Sequence, residues 1–101
     1  MSLERIIKIL ESFGFKRIEA EVYVYLAKKG PQKANDLADA LRIHKRQLYS
    51  ILKKLQTKGL VIATHKQTKV FSAIDFEKTL DQLVKENVEQ AKAMKKILEE
   101  L

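Results

Sequence analysis

Three glycines and one proline punctuate the chain, and each glycine closes a stretch of helix-period hydrophobicity. Gly14, Gly30 and Gly59 follow such stretches, and Pro31 directly follows Gly30. Glycine accepts the left-handed backbone that commonly follows a helix, and a proline just beyond reinforces the stop. The punctuation divides the chain into several short helices and leaves no room for a flexible linker. A first helix is expected over about 2–13, with Ser2 as N-cap and Leu3, Ile6, Ile7, Leu10 and Phe13 on one stripe. A second, about 17–29, places Ile18, Val22, Tyr25 and Leu26 on one face. It ends in Lys28-Lys29, cations at the negative helix end. A short third helix is expected to be capped by Asn35, with Leu37, Ala38 and Leu41 inward; Arg42-Ile43 then makes a tight connection. A fourth runs over 44–58 on Leu48, Ile51, Leu52 and Leu55.

The period then changes from 3.6 to 2. Leu60 to His65 and Lys69 to Ala73 are β-prone, with Lys66-Gln67-Thr68 between them, which predicts a hairpin. From Asp75, a good N-cap residue, a helical pattern runs unbroken to Leu101. The fold class is therefore mostly α with a small β-hairpin: a winged helix-turn-helix with a long C-terminal dimerisation helix. The expected division is a DNA-binding winged helix-turn-helix over 1–74 and a coiled-coil arm over 75–101.

Composition narrows function by exclusion. No cysteine is present, so disulfides, thiolate zinc sites, iron–sulfur clusters and a cysteine nucleophile are ruled out. The longest unbroken apolar run, Val22 to Ala27, is far below the ~20 residues of a membrane span, and no signal-peptide pattern opens the chain. Two histidines 21 residues apart make no zinc site. Glu19, Glu21, Glu99 and Glu100 are expected on exposed helix positions without a convergent partner, and no glycine-rich phosphate loop follows a strand. An enzyme, a metal and a cofactor are not expected.

Charge is the positive signal. The net charge of +7 divides into +2 over residues 1–30, +7 over 31–70 and −2 over 71–101. A localised basic block is the footprint of a nucleic-acid surface. In a helix-turn-helix the second helix enters the major groove, its N-terminal residues meeting base edges. Here that helix opens His44-Lys45-Arg46-Gln47, and its buried face leaves Arg46, Gln47, Ser50, Lys53 and Lys54 opposite, flanked by Lys45 and Tyr49. Arginine can pair bidentately with guanine and glutamine with adenine. Lys53, Lys54 and Lys58 suit phosphates, while Tyr49 either packs its ring at the helix edge or bonds a phosphate through its hydroxyl. The wing, residues 64–69, adds Lys66 and Lys69 beside His65, for the backbone or the minor groove.

The last helix carries a second signal. Leu80, Val84, Asn87, Ala91, Met94, Leu98 and Leu101 alternate in steps of four and three, about three heptads, widened by Leu83, Val88 and Ile97. The expected partner of this stripe is a second copy of the chain, with Asn87 fixing register. Parallel and antiparallel arrangements both remain open.

Phe13-Gly14-Phe15-Lys16-Arg17-Ile18-Glu19-Ala20-Glu21-Val22-Tyr23 resembles the L-G-L-x-x-x-E-A-x-V-Y opening of TrmB-like archaeal transcriptional regulators. Gly30-Pro31, Ala34, Leu37-Ala38, Tyr49, Leu52, Leu55 and Lys58-Gly59-Leu60-Val61 fall at that family's spacing, so the likeness spans about residues 13–73. The resemblance implies a winged-helix DNA-binding domain with His44 to Lys58 as recognition helix. Four positions depart from the pattern. Arg42 stands where glycine is frequent, His44 where proline is common, Arg46 in place of Ser or Thr, and Lys16 in place of a capping Ser or Thr. No family operator is carried over for that reason. Longer members of the family resemble sugar sensors. This chain stops at Leu101, so no sugar pocket or small-molecule effector is inferred. The expectation is a homodimeric, sequence-specific regulator of double-stranded DNA, cytoplasmic and nucleoid-associated, with no membrane partner. An architectural chromatin protein with little base preference is the alternative, and a protein-interaction winged helix a third reading.

Overall fold

The computed structural model describes residues 2–65 and 67–101. Five helices and one hairpin follow in the order α1 (Leu3–Ser12), α2 (Arg17–Lys29), α3 (Ala34–Leu41), α4 (Lys45–Thr57), β1 (Val61–His65), β2 (Lys69–Ala73) and α5 (Phe76–Glu100). The winged helix-turn-helix expected from the periodicity is the observed architecture. In α1 the Ser2 hydroxyl accepts from the Arg5 amide, and Ile6, Ile7 and Leu10 are buried. The buried face of α4 is Leu48, Ile51, Leu52 and Leu55.

α2 departs from its expected single stripe. Ala20, Val22, Tyr23, Val24 and Leu26 are all buried, while Ile18 and Tyr25 are only partly covered. The helix sits at the centre, with α1 on one side and α4 and β2 on others, so its apolar residues are used nearly all round. Tyr23 shows how a polar tip is accommodated there. Its hydroxyl donates to the Ile74 carbonyl at 2.6 Å, and its ring lies 6.2 Å from that of Phe76. Burial raises the phenol above its ordinary pKa, so it stays a donor.

The cap of α3 also differs from expectation. Lys33, not Asn35, is the N-cap, without a side-chain bond. The chain before it is held extended, because Gln32 and Phe71 exchange backbone hydrogen bonds of 2.9 and 2.8 Å. The helix then starts at once with Ala34 turned inward. This bridge joins the segment after Pro31 to the wing. The hairpin pairs antiparallel from Val61 with Ala73 to His65 with Lys69.

The turn between α3 and α4 passes through Arg42 at φ 53°, ψ 47°, a left-handed residue that is not glycine. Its geometry lets the Ile43 amide bond the Ala38 carbonyl at 3.0 Å and buries Ile43. α5 starts on the body through Thr79 and Leu83, then leaves it. A helix of 25 residues is about 37 Å long at ~1.5 Å per residue, which is why the molecule measures 51 × 29 × 23 Å.

Candidate nucleic-acid interface

The apolar back of α4 fixes what its front can present. With Leu48 and Leu52 sealed against the core, His44, Lys45, Arg46, Gln47, Tyr49, Ser50 and Lys53 all stand exposed. His44 is the N-cap but makes no side-chain capping bond, so the amides of the first turn stay open to an acceptor. Lys16, Ile18 and Glu19 of the α2 entry face residues 44–47, Ser50 and Ile51 across an open groove. A second groove runs between the start of α3, α4 and the wing. Lys33, Asn35, Tyr49, Thr68 and Lys69 line it, which brings Tyr49 and Lys69 to one site although they are 20 residues apart. Lys69 lies over the Phe71 ring at 5.3 Å, its stem steadied and its charge outward. Lys66 lies outside the described residues.

The cations divide into two groups. Lys54 does not join the outward face: its ammonium is 2.9 Å from the Glu19 carboxylate and 5.1 Å from the Phe15 ring centroid. Its position on the flank of α4 points it at α2. Lys58 is likewise turned, 3.9 Å from Glu86 on α5. Among the described residues, Lys45, Arg46, Lys53 and Lys69 make no ion pair within the chain. The body consumes the inner cations and leaves the outer ones for something outside it.

Glu19 corrects an expectation. It is not an exposed acid without a partner: it is 6% exposed and accepts both the Lys16 amide at 2.7 Å and the Lys54 ammonium. Burial pushes its pKa up. The Lys16 amide and the Lys54 ammonium outweigh that, and the net value lies below the ordinary carboxylate range. Lys16 has no acceptor to give back, so only the return half of a capping box forms. The signal was in the sequence, since an acid three residues after a helix boundary is the capping-box position. Lys33 and Asn35, which line the groove beside the wing, carry no such signal. Nothing in the sequence shows that the Gln32–Phe71 bridge sets them beside the wing.

The stripe of α5 follows the same logic of exposure. Leu83 is buried against the body and Leu80 half-buried, but Val84 is 47% exposed, Met94 66%, Leu98 68% and Leu101 97%, with Asn87 and Ala91 also exposed. Among the described residues no three His, Asp or Glu groups converge to hold a metal. Among the described residues no helix is long and apolar enough to cross a membrane.

A helix-turn-helix with an uncommitted basic helix front, a hairpin beside it and a projecting terminal helix defines the class: a winged-helix domain of the transcription-regulator type. The family model described as "Sugar-specific transcriptional regulator TrmB" matches residues 10–77, and the chain belongs to that family. It is 29% identical to the HTH-type sugar sensing transcriptional regulator TrmBL1 of Pyrococcus furiosus, over 97% of this chain and 29% of that one. An uncharacterised protein of Methanocaldococcus jannaschii is 33% identical, over 88% of this chain and 72% of the relative. Among solved structures, TrmBL2, described as an archaeal chromatin protein with a novel mode of DNA binding, superposes with a TM-score of 0.81 at 26% identity. That match covers 99% of this chain and 40% of TrmBL2. The chain thus spans well under half the length of both named relatives.

Proposed function

We propose that the chain is a sequence-specific regulator that binds double-stranded DNA as a homodimer, cytoplasmic and associated with the nucleoid. The observation that carries this is the front of α4, where Lys45, Arg46, Gln47, Ser50 and Lys53 are exposed on a rigid apolar back and the cations are unspent. Arg46 and Gln47, in the first turn, reach base edges in the major groove. Lys45, Lys53 and Tyr49 meet phosphates, and Lys69 at the wing meets backbone or minor groove. Lys54, tied to Glu19, holds the helix rather than the DNA. The exposed stripe on α5 supplies the dimer contact, so two α4 helices address a pseudo-palindromic site with half-sites about one turn apart. The reading needs no catalytic group or small-molecule effector. The descriptions of TrmBL1 as a transcriptional regulator and of TrmBL2 as a protein that binds DNA support it as properties of relatives.

The likeness to a chromatin protein gives the second reading, in which binding runs through phosphates with little base preference. One titration separates the two. Anisotropy is followed for duplexes selected from a genomic pool and for an unrelated duplex, at several salt concentrations. A regulator binds its selected site ~10³-fold or more tighter than the unrelated one. Arg46→Ala then relaxes the preference at a base position, whereas Lys69→Ala weakens all duplexes alike and lowers the salt slope by about one phosphate's share, ~0.9. Equal, steeply salt-dependent binding to every duplex transfers the assignment to the chromatin reading. No binding near ~50 mM salt sinks both and points to a protein partner.

A further inference from the structure

The homodimer reading leaves the direction of pairing open, and the edges of the α5 stripe decide it. In a heptad frame Leu80, Asn87 and Met94 take position d and Val84, Ala91 and Leu98 position a. The e edge is then Asp81, Val88 and Lys95, all exposed. The g edge contains Leu83, which the chain's own body already covers. We propose that α5 pairs antiparallel with α5 of a second copy, Val88 at the two-fold axis and Asp81 of each chain against Lys95 of the other. This rests on the homodimer reading and sharpens it.

Three features of the sequence and structure favour that arrangement. First, like edges meet in an antiparallel pair, so the e edges join an acid to a base at both ends and an apolar residue to itself in the middle. A parallel pair sets Asn87 against Asn87, a contact that can fix register, but leaves Asp81 facing Phe76 and Lys95 facing Gln90, with no opposite charge. Second, this one antiparallel register also stacks Leu80 on Leu98, Val84 on Met94 and Asn87 on the small Ala91. Sliding it by a heptad breaks both the charge pairs and the outer layers. Third, the body packs on the g side of α5, at Leu83. In an antiparallel pair both g edges lie on the same side, so both bodies face one way. Thr79 of one chain then lies beside Glu99 of the other, and the two Thr79 positions are about 30 Å apart along the axis at ~1.5 Å per residue. That is close to the ~34–36 Å between half-sites on one face of DNA. A parallel pair puts the two bodies at one end, on opposite sides.

The absence of cysteine makes the test direct. Full-length Asp81→Cys and Lys95→Cys chains are mixed and treated with a short bismaleimide. Antiparallel pairing gives a cross-linked dimer in the mixture and little in either variant alone. Parallel pairing holds the two sites about 21 Å apart along the axis and gives none. A charge exchange checks the same contact without cross-linking. Asp81→Lys and Lys95→Glu each weaken dimerisation about 5-fold in sedimentation equilibrium, and the double variant restores it. A dimer that does not cross-link and is not restored overturns the antiparallel pairing while leaving the homodimer standing. A wild-type chain that stays monomeric at high concentration overturns the homodimer and this proposal with it, and shows that another partner covers the stripe.

Discussion

α2 and α5 each send one carboxylate to a lysine of α4 or its C-cap, yet their surroundings are opposite. α2 is covered on almost every side, and its acid, Glu19, is buried at 2.9 Å from Lys54. α5 is covered only over its first turns, and its acid, Glu86, meets Lys58 at 3.9 Å in the open. The difference separates stability from assembly. What α2 buries holds the domain together in every state of the protein. What α5 displays can contribute only when something else arrives.

Equal truncations on the two helices put that to the hardest test. Leu26 on α2 is sealed and Leu98 on α5 is 68% exposed. Leu26→Ala loses transfer free energy and leaves a cavity, costing about 3 kcal/mol. Urea denaturation would show this as a lowered midpoint with unchanged slope. Leu98→Ala in dilute, monomeric protein should change stability by less than ~0.5 kcal/mol, as for other exposed sites. At concentrations where the proposed homodimer would form, Leu98→Ala should lower the apparent stability, because a partner that binds only the folded chain would no longer do so as well. If both variants cost the same in the monomer, α5 is part of the body and the contrast fails.

The two acids give a smaller effect with a sign. Glu19 titrates below its ordinary value of about 4.5 in the folded chain. Its contribution to stability is therefore complete above that value and is lost as pH falls through the lower, folded one. Glu19→Gln removes the charge, keeps an acceptor for the Lys16 amide and leaves Lys54 without its partner. We expect a loss of about 1–2 kcal/mol at pH 7 that shrinks toward zero as the pH falls through the lowered folded value and the wild-type acid protonates. A difference that is flat with pH would mean that the ion pair contributes nothing and that shape alone places Glu19.

What the sequence shows of the two helices differs in the same way. The stripe on α4 and the heptad on α5 were legible because each has a single apolar face, and periodicity reports a single face well. A single stripe does not describe α2, because a central helix is apolar on several sides; Tyr23 and Val24 fall outside any one-face count. The burial of Glu19 is not legible because it depends on α4, and helical position alone does not show that Lys54, on the flank of α4, meets Glu19. The cap of α3 was placed two residues late because a backbone bridge to β2, which has no residue signature, fixes where that helix begins. Arg42 was noted as a departure from glycine, and its left-handed backbone shows why glycine suits that turn. Local pattern reported the elements; contacts distant in sequence decided which charges face outward.

The mildest change tests the open end of the comparison. Glu86 is 30% exposed at the side chain and Lys58 40%, with their charges at the edge of contact range. Such a pair gains little in water and loses side-chain freedom, so its net value is a few tenths of a kcal/mol. Glu86→Gln should therefore shift stability by no more than ~0.5 kcal/mol, and salt should erase even that. The same variant frees Lys58, which then lies a turn beyond Lys54 on the helix that we assign to DNA. If Lys58 can reach a phosphate, Glu86→Gln tightens binding to all duplexes equally and steepens the salt slope. If binding is unchanged, Lys58 lies off the DNA path, and its role is confined to steadying the root of α5 against α4. A stability loss near that of Glu19→Gln would instead mean that α5 is anchored as firmly as α2, and the division between a self-sufficient body and a partner-dependent helix would have to be redrawn.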